Sequence, residues 1–381
     1  MKILLVTCRY PWPARRGDQM RAVQFLRALR GHEVCLLTPA ATDGGMEPPE
    51  GVRVETYDPG SGSLGALGSA LSGGPLQSGI FLSSDLKKKA ARLSRDADVV
   101  VLQLVRLAGL LKVVEAPVYV DLIDALSLNF ATRSRLDRPW LRPVLAEEAR
   151  RLQRQEARVV EAASGCCVVC LRDRDALEEH SGIATDVVRL PMATQASEKP
   201  LAERPTVAFT GNLGYFVNAD AAGWWARRVW PHLRDALPEA RFVIAGDRAS
   251  RALRRRASQS GVELVPSPRR LLDVIESAHV SIAPMRCGAG VPVKVLEAWA
   301  CATPVVASAH AAAGVAGHDG RDLLVCESVD DWVESVRRCL TDSDLVERLT
   351  TSAAARLEAD YSEASIADQI RRRIEEIARS S

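Results

Sequence analysis

Short, continuous apolar runs alternate with helical patterns along the whole chain. Runs such as VVVLQ (99–103) and VYVDLI (118–123) do not alternate apolar and polar residues. This predicts strands that are covered on both faces, as in parallel sheets flanked by helices. The chain is therefore expected to be an α/β protein. The other predicted strands are ILLVT (3–7), EVCLLT (33–38), CCVVC (166–170), VAFTGN (207–212), RFVIAGD (241–247), VELVP (262–266), HVSIAPM (279–285), TPVVAS (303–308) and LLVC (323–326).

Helices are predicted between these strands. The helix over 18–30 is expected to begin at Asp18 as its N-cap and to end at Gly31. The Gly/Ser-rich stretch 60–79 is predicted to be a loop. Further helices are predicted at 219–236, 269–277 and 291–301, and the chain after residue 326 is predicted to be almost wholly helical, ending in an Arg/Glu-rich helix at 362–379.

A proline-rich interruption divides the strand series into two halves. Residues 191–205 contain three prolines and no apolar periodicity, which indicates a linker. A length of 381 residues also suggests more than one domain. We therefore predict two Rossmann-like, doubly wound domains facing a cleft. They cover 1–190 and 206–360, and a C-terminal helix at 361–381 is expected to pack back on the first domain.

Composition excludes several classes of protein. A formal net charge of +2 argues against a nucleic-acid binder. No stretch of 18 uncharged apolar residues is present, so no membrane span is predicted. The nine cysteines lie mostly in apolar runs, and Cys167-x2-Cys170 has no second pair, so reduced thiols and a cytoplasmic location are expected. The arginines of 133–158 and 251–257 are either solvated helix faces or peripheral contacts with anionic lipid on the inner membrane face.

The standard phosphate-binding fingerprints are missing. The connection after the first strand, CRYPWPARRGD (8–18), has a single glycine, Gly17, and so does not form the G-x-G-x-x-G of dinucleotide-binding proteins. No Walker pattern is present either. Both absences argue against a dehydrogenase or a P-loop enzyme.

The segment 284–308, PMRCGAGVPVKVLEAWACATPVVAS, offers a different phosphate site. Gly288 and Gly290 permit close backbone approach, and the helix that begins near Val291 directs free N–H groups toward the loop. This terminus suits a diphosphate.

Two charged residues follow in the same helix. Lys294 adds a positive charge in the first turn, and Glu297 shares its face and suits ribose hydroxyls. The alternative is a surface ion pair between them, which stabilises a helix by only ~0.2–0.5 kcal/mol.

GVPVKVLEAWACATPVVAS (290–308) resembles the donor-binding signature of the family 4 retaining glycosyltransferases, in which an E-x7-E motif precedes an EAMA-G-PVV run. Glu297 matches the second glutamate. RYPWPARRGDQMR (9–21) resembles the N-terminal glycine loop of that family. FTGNLGYFVNADAAGWW (209–225) and YVDLIDALS (119–127) resemble a bacterial exopolysaccharide-associated branch.

The resemblance implies the GT-B fold, with an N-terminal acceptor domain and a C-terminal donor domain. It implies transfer of a sugar from a nucleoside-diphosphate sugar, with UDP-sugar favoured, to a glycan, lipid-linked or small-molecule acceptor in polysaccharide biosynthesis. Retention of anomeric configuration and independence from metal are also implied. In agreement, no cofactor is expected, and no cluster of His and Asp residues at metal-ligand spacing is recognised.

The candidate site follows from the same resemblance. Lys294, Arg286 and Asp121 are the candidate catalytic residues. Asp121 and Asp124 in DLID are expected at a strand end, where they contact an acceptor hydroxyl or cap a loop. The candidate donor-binding residues are Gly17, Arg21, Gly211, Asn212, Val265, Gly288, Gly290, Val291, Pro292, Val293, Lys294 and Glu297.

The chain departs from the family pattern at three positions. Ala289 stands where the first glutamate of E-x7-E falls, and Asn212 and Val217 stand near positions where many relatives carry an Arg and a Lys. Lys294, together with Arg286 or an N-terminal arginine, would therefore have to neutralise the leaving diphosphate. Two alternatives stay open, namely a nucleotide-sugar epimerase on the same fold and a non-catalytic partner protein with a decayed donor site.

Overall fold

The computed structural model describes residues 1–14, 16–41, 48–49, 51–71, 73–195 and 200–380. It divides into two compact units. Unit 1 comprises Met1–Pro191 together with Glu363–Ser381, and unit 2 comprises Met192–Ser362. Part of the predicted linker, residues 196–199, lies outside the described residues. Its described remainder after Pro191 belongs to unit 2, where Gln195 and Ala202 donate backbone hydrogen bonds to Ala300 and Ser277.

Among the described residues, seven strands and seven α-helices precede the division at Pro191. The strands are β1 (Lys2–Val6), β2 (Glu33–Pro39), β3 (Arg53–Tyr57), β4 (Val99–Gln103), β5 (Val118–Ile123), β6 (Gly165–Val168) and β7 (Asp186–Val187). The helices are α1 (Gly17–Ala28), α2 (Gly62–Leu71), α3 (Leu76–Phe81), α4 (Ser84–Ser94), α5 (Leu126–Ser134), α6 (Arg142–Ala162) and α7 (Leu171–Ser181), with a 3₁₀ helix at Val105–Lys112.

The rest of the chain repeats this alternation and ends in helices. The strands are β8 (Thr206–Thr210), β9 (Arg241–Gly246), β10 (Glu263–Pro266), β11 (Val280–Ala283), β12 (Val305–Ser308) and β13 (Leu324–Cys326). The helices are α8 (Phe216–Arg228), α9 (Trp230–Ala236), α10 (Arg251–Gln259), α11 (Leu271–Glu276), α12 (Val293–Ala300), α13 (Ala309–Val315), α14 (Val329–Thr341), α15 (Ser343–Asp360) and α16 (Glu363–Arg379), of which α16 belongs to unit 1.

Unit 1 is built on a parallel sheet with the strand order β3-β2-β1-β4-β5-β6-β7. Side chains alternate between its two faces, as in any strand. Ile3 and Leu5 of β1 pack with α1 and α16, whereas Leu4 and Val6 pack with residues of α4 and α6. Because both faces are covered, the strands read as continuous apolar runs, and the prediction of a doubly wound sheet is confirmed for this unit.

Most of the described residues in the Gly/Ser-rich stretch at 60–79 belong to α2 and α3, so the prediction of a loop was wrong. α2 and α3 pack closely because Gly65 and Gly79 meet. A Cβ on either glycine would overlap the carbonyl oxygen of the other. The small residues that suggested a loop are the contact surface of a helix pair.

Unit 2 has a second parallel sheet, in the order β10-β9-β8-β11-β12-β13. The prediction of two Rossmann-like halves is therefore confirmed. One predicted helix, 219–236, is divided into α8 and α9 at Val229, where Pro231 follows in the first turn of α9 and cannot donate a backbone hydrogen bond. Among the described helices, none combines the length and apolarity that a membrane crossing requires.

The strand order locates a candidate site in each unit. In both sheets the chain winds outward in one direction and then resumes on the other side of the first strand. This reversal falls between β1 and β4 in unit 1 and between β8 and β11 in unit 2. Open α/β sheets bind ligands at the carboxyl ends of the strands flanking such a switch point.

Candidate functional site

The switch point of unit 2 is formed by the loops after β8 and β11. Gly211 follows β8 with a φ of 146°, a backbone conformation that only glycine adopts easily. A side chain there would also press on Asn218 and on Lys294 Nζ, with its Cβ 3.0 Å and 3.3 Å away. Gly288 follows β11 with a φ of 117°, and a Cβ on it would lie 3.2 Å from Val217. The two loops therefore approach closely because they lack side chains.

Lys294 lies in the first turn of α12 and is 6% exposed. Its Nζ donates to Asn218 Oδ1 at 2.7 Å, lies 3.7 Å from Met285 Sδ and is 4.0 Å from the ring centroid of Phe209. All three partners are uncharged. Burial lowers the pKa of Lys294 to about 7, and the charge of Glu297 only partly opposes this effect.

Glu297 lies one turn further along α12 and is half-buried. Burial raises the pKa of its carboxyl group, and Lys294 opposes the shift. Within the part of the chain that the structure describes, its carboxylate makes no hydrogen bond and no ion pair with Lys294. The alternative of a surface ion pair is therefore excluded, because Lys294 is buried and the two charges are not in contact.

Residues of β12 and α13 hold the loop between β11 and α12. Ser308 Oγ donates to the carbonyl of Met285 at 2.6 Å, and His310 Nε2 lies 3.1 Å from the carbonyl oxygen of Gly288. Gly314 of α13 packs on Pro292, where a Cβ would come within 2.7 Å of Cδ. These supporting contacts were not predicted, because no motif in the sequence links 308–314 to the loop before α12.

Arg286 lies in the same loop, but its guanidinium already has a carboxylate partner. Nε and Nη2 donate to the two oxygens of Asp220 at 2.9 Å and 2.6 Å, and the guanidinium carbon lies 5.8 Å from the Trp224 ring. A bidentate pair of this kind fixes the guanidinium in one orientation. The catalytic role of Arg286 stays a prediction, and no local sequence pattern indicates its partner Asp220.

Asp121 and Arg21 are buried together inside unit 1, and their roles toward a substrate stay predictions. Asp121 lies within β5 and is 1% exposed, and Arg21 of α1 is fully buried. Arg21 Nε and Nη2 donate to both carboxylate oxygens at 3.0 Å and 3.1 Å, and Cys167 Sγ lies 3.3 Å from Oδ1. The two residues form a buried ion pair inside unit 1.

The remaining candidates occupy several places. Gly17 is the exposed first residue of α1, and a Cβ on it would meet nothing within 4 Å. Asn212 follows Gly211 and accepts from the backbone N–H of Gly214 at 3.0 Å. Val265 is half-buried in β10, and Gly290, with a φ of 74°, precedes the half-buried residues Val291, Pro292 and Val293 that lead into α12. Their contacts with a donor stay predictions.

Within the described ranges, no group of three His, Cys, Asp or Glu side chains is arranged to hold a metal ion. The nine cysteines are free thiols, and burial raises the pKa of Cys166 to about 12.

Comparison with known proteins shows which fold this is. The sequence from 204 to 342 matches the family model described as "Glycosyl transferases group 1". No curated protein matches the chain. Similar solved structures include sucrose-phosphate synthase from Thermosynechococcus elongatus, with a TM-score of 0.74 at 16% identity and 100% coverage of both chains.

Two further structures are similar over the whole chain. HepE from Anabaena, in complex with UDP, has a TM-score of 0.71 at 15% identity, covering 99% of this chain and 100% of that one. A UDP-forming α,α-trehalose-phosphate synthase from Burkholderia xenovorans has a TM-score of 0.66 at 11% identity, with 99% of each chain covered. The chain therefore has the GT-B fold, and its second unit carries a domain similar to the group 1 glycosyl transferases.

Proposed function

We propose that this protein is a glycosyltransferase that takes its sugar from a nucleoside-diphosphate sugar bound at the switch point of unit 2. The observation that carries the proposal is Lys294, a buried amine with uncharged partners at the amino end of α12. A cation in such a place is costly unless an anion joins it. A diphosphate supplies that anion, and the first turn of the helix supplies free N–H groups.

The chemistry follows from this arrangement. As the bond between the sugar carbon and the diphosphate oxygen breaks, its electron pair stays on the diphosphate. Protonated Lys294 and the α12 terminus stabilise the growing charge, which is the role that a metal ion plays in other enzymes. The acceptor hydroxyl oxygen forms the new bond to the sugar carbon, and its proton passes to the leaving phosphate. We propose that this transfer retains the anomeric configuration and needs no metal.

Glu297 is proposed to bind the ribose. Its carboxylate has no hydrogen-bond partner among the described residues, and partial burial raises its pKa. Two vicinal ribose hydroxyls would supply those donors. HepE in its complex with UDP, and a synthase described as UDP-forming, support UDP as the nucleotide.

Unit 1 is proposed to take the acceptor. The finer assignments, namely membership of family 4, the exopolysaccharide branch and a role in polysaccharide biosynthesis, rest on the segments at 290–308, 209–225 and 119–127. A glycan, a lipid-linked or a small-molecule acceptor all stay open at this level.

Calorimetric titration with UDP, GDP, ADP and dTDP tests the donor site. We expect saturable binding of one nucleotide, UDP first, and loss of about tenfold or more in affinity in Lys294→Met. Arg251→Gln, which removes an exposed charge from α10 of the same unit, is the matched control and should bind as wild type.

The titration contradicts the proposal if no nucleoside diphosphate binds. If a nucleoside diphosphate does bind, incubation with the corresponding nucleotide sugar distinguishes a transferase, an epimerase and a non-catalytic protein. Release of nucleoside diphosphate indicates transfer to an acceptor or to water, an inverted sugar identifies an epimerase, and binding without either identifies a non-catalytic protein.

A further inference from the structure

Two residues with an unusual backbone lie at the carboxyl ends of neighbouring strands beside the switch point of unit 1. Leu104 has a φ of 74° directly after β4, and Ile123 has a φ of 65° at the end of β5. β4 and β5 are parallel neighbours, with Gln103 opposite Asp121. Neither residue is a glycine, so each conformation costs free energy, and such strain is concentrated at functional sites.

Each strained residue is followed by a charged one. Arg106 comes two residues after Leu104, and its Nε is buried without a hydrogen-bond partner. Among the described residues it forms no ion pair. Its guanidinium carbon lies 5.1 Å from the ring centroid of Phe81, and that of Arg9 lies 5.8 Å from the same ring. Arg9 is paired with Asp18, so of these two arginines it is Arg106 that has no anionic partner among the described residues.

Asp124 comes directly after Ile123, and its carboxyl group makes no hydrogen bond within the described part of the chain. Burial raises its pKa to about 7, the nearby charge of Asp173 adds to the shift, and Arg106 and Arg172 oppose it. Arg172 is itself paired with Asp173. Arg106 and Asp124 are thus close enough to influence each other, yet no ion pair within 4.0 Å joins them.

The unpaired guanidinium and the unpaired carboxyl group at this sheet edge are each able to bind a complementary partner. The planar fork of arginine matches a phosphate, whereas a carboxylate accepts hydrogen bonds from hydroxyl groups. A ligand that carries a phosphate and a hydroxyl close together satisfies both residues. A ligand with hydroxyl groups alone leaves Arg106 without an anion.

We propose that the carboxyl edge of β1, β4 and β5 in unit 1 binds a phosphorylated acceptor, with its phosphate on Arg106 and a hydroxyl on Asp124. The identification of the ligand as an acceptor rests on the proposed function. The existence of a phosphate site in unit 1 does not depend on that function. The phosphate belongs either to a soluble sugar phosphate or to the headgroup of a lipid-linked sugar.

Titration with inorganic phosphate, followed by ³¹P NMR line broadening, tests the site. The measurement is made in the Lys294→Met background, so that phosphate at the donor site of unit 2 does not contribute. We expect saturable binding that weakens about tenfold or more in Arg106→Gln and recovers in part in Arg106→Lys. Arg135→Gln, which removes an exposed charge at the far end of α5, should bind phosphate unchanged.

A second variant separates recognition from misfolding. Asp124→Asn removes a negative charge beside the phosphate, so it should bind inorganic phosphate as tightly as wild type or more tightly. The proposal is overturned if phosphate does not bind, if Arg106→Gln binds normally, or if both variants weaken binding equally. UDP titration of Arg106→Gln reports on the donor site separately, so failure of one proposal is not failure of the other.

Competition identifies the source of the phosphate. Displacement of inorganic phosphate by glucose 6-phosphate supports a soluble sugar phosphate. Displacement only by phosphatidylcholine vesicles that contain a polyprenyl phosphate supports a lipid-linked acceptor. Either result supports the phosphate site, and displacement by glucose as strong as by glucose 6-phosphate contradicts it.

Discussion

The burial of Lys294 affects both the free energy of unfolding and the proposed binding of a diphosphate. An unfolded lysine titrates near 10.5, whereas burial lowers the pKa of Lys294 to about 7. Between these values the unfolded chain holds a proton that the folded chain lacks. The free energy of unfolding therefore rises with pH across this window, and the full cost of burying Lys294 is present below pH 7.

Lys294→Met should accordingly stabilise the protein in a pH-dependent way. Methionine keeps the length of the side chain and removes the charge, so the unfolding free energy should rise by ~1–4 kcal/mol at pH 6. The gain should shrink as the pH rises and approach zero above pH 10.5, where the wild-type lysine is neutral in both the folded and the unfolded chain. Urea unfolding at a series of pH values measures it, and a gain that does not change with pH would mean that Lys294 has a normal pKa.

Binding of a nucleoside diphosphate should cause proton uptake. The diphosphate charge raises the pKa of Lys294 from about 7, so at pH 8 the amine takes up a proton as the ligand binds. Calorimetry in buffers of different ionisation enthalpy should report uptake of up to about one proton in wild type. It should report none in Lys294→Met, and equal values in the two proteins would place the diphosphate elsewhere.

Glu297→Gln should reduce discrimination between ribose and 2′-deoxyribose. Glutamine keeps the shape of the side chain but is a weaker acceptor for two hydroxyl protons. Nucleotide affinity should fall about tenfold or more, and the preference for UDP over dUDP should fall with it. A loss of folding cannot imitate a change in selectivity, so an unchanged preference would remove Glu297 from the ribose site.

Pairs that are distant in sequence limited the prediction of site residues. Lys294 and Glu297 could be named together as candidate site residues because their spacing within one helix already shows that they share a face. Arg21 and Asp121 are 100 positions apart, and Arg286 and Asp220 are 66 apart, so neither pair leaves a local pattern. From the sequence alone, a charged residue whose partner lies on a distant element cannot be distinguished from one that is free to bind a ligand.

At the scale of elements, continuous burial decided which strands could be predicted. β4 and β5 have the predicted bounds because apolar residues fill both faces of a central strand. β3 was missed because it lies at the sheet edge, where RVETY is mostly polar and only Tyr57 is fully buried. α2 and α3 were missed because glycine lowers helix propensity, and only tertiary packing shows why those glycines are needed.

The α2–α3 contact predicts opposite effects of the same substitution at two glycines of one helix. Gly65→Ala places a Cβ on the carbonyl oxygen of Gly79 and should cost ~1–3 kcal/mol of unfolding free energy, because the helices must separate. Gly68→Ala meets nothing within 4 Å and should stabilise by ~0.4–1 kcal/mol. Denaturant unfolding of both variants measures the difference, and two stabilising substitutions would mean that the close contact is not formed.

At the scale of the whole molecule, both units repeat one architecture with different chemistry. Each sheet runs outward on both sides of its first strand, and in each unit an unpaired charged group stands at the carboxyl edge beside the switch point. In unit 2 this group is Lys294, and in unit 1 it is Arg106. The two halves could be predicted from the sequence because each carries a full strand series. These unpaired charges could be recognised only once the packing of the surrounding loops was known.

The chain end completes the core of unit 1, although it follows all of unit 2 in sequence. Ile366, Ile370, Ile374 and Ile377 of α16 are buried in one cluster with Phe25 of α1. Their spacing of three and four residues puts them on a single face of the helix. Without α16, the sheet face formed by Ile3, Leu5, Val99 and Val101 would lose part of its cover.

Ile374→Ala should therefore weaken unit 1 from a position near the end of the chain. Removing a fully buried isoleucine leaves a cavity and should lower the unfolding free energy by ~2–5 kcal/mol. Arg372→Ala, on the exposed face of the same helix, is the matched control and should change it by less than ~0.5 kcal/mol. Native-state hydrogen exchange should show reduced protection in α1, β1 and β4, which line the same cluster, as well as in α16. Protection lost in α16 alone would mean that the helix docks without supporting the sheet, and the first unit would then be complete within Met1–Pro191.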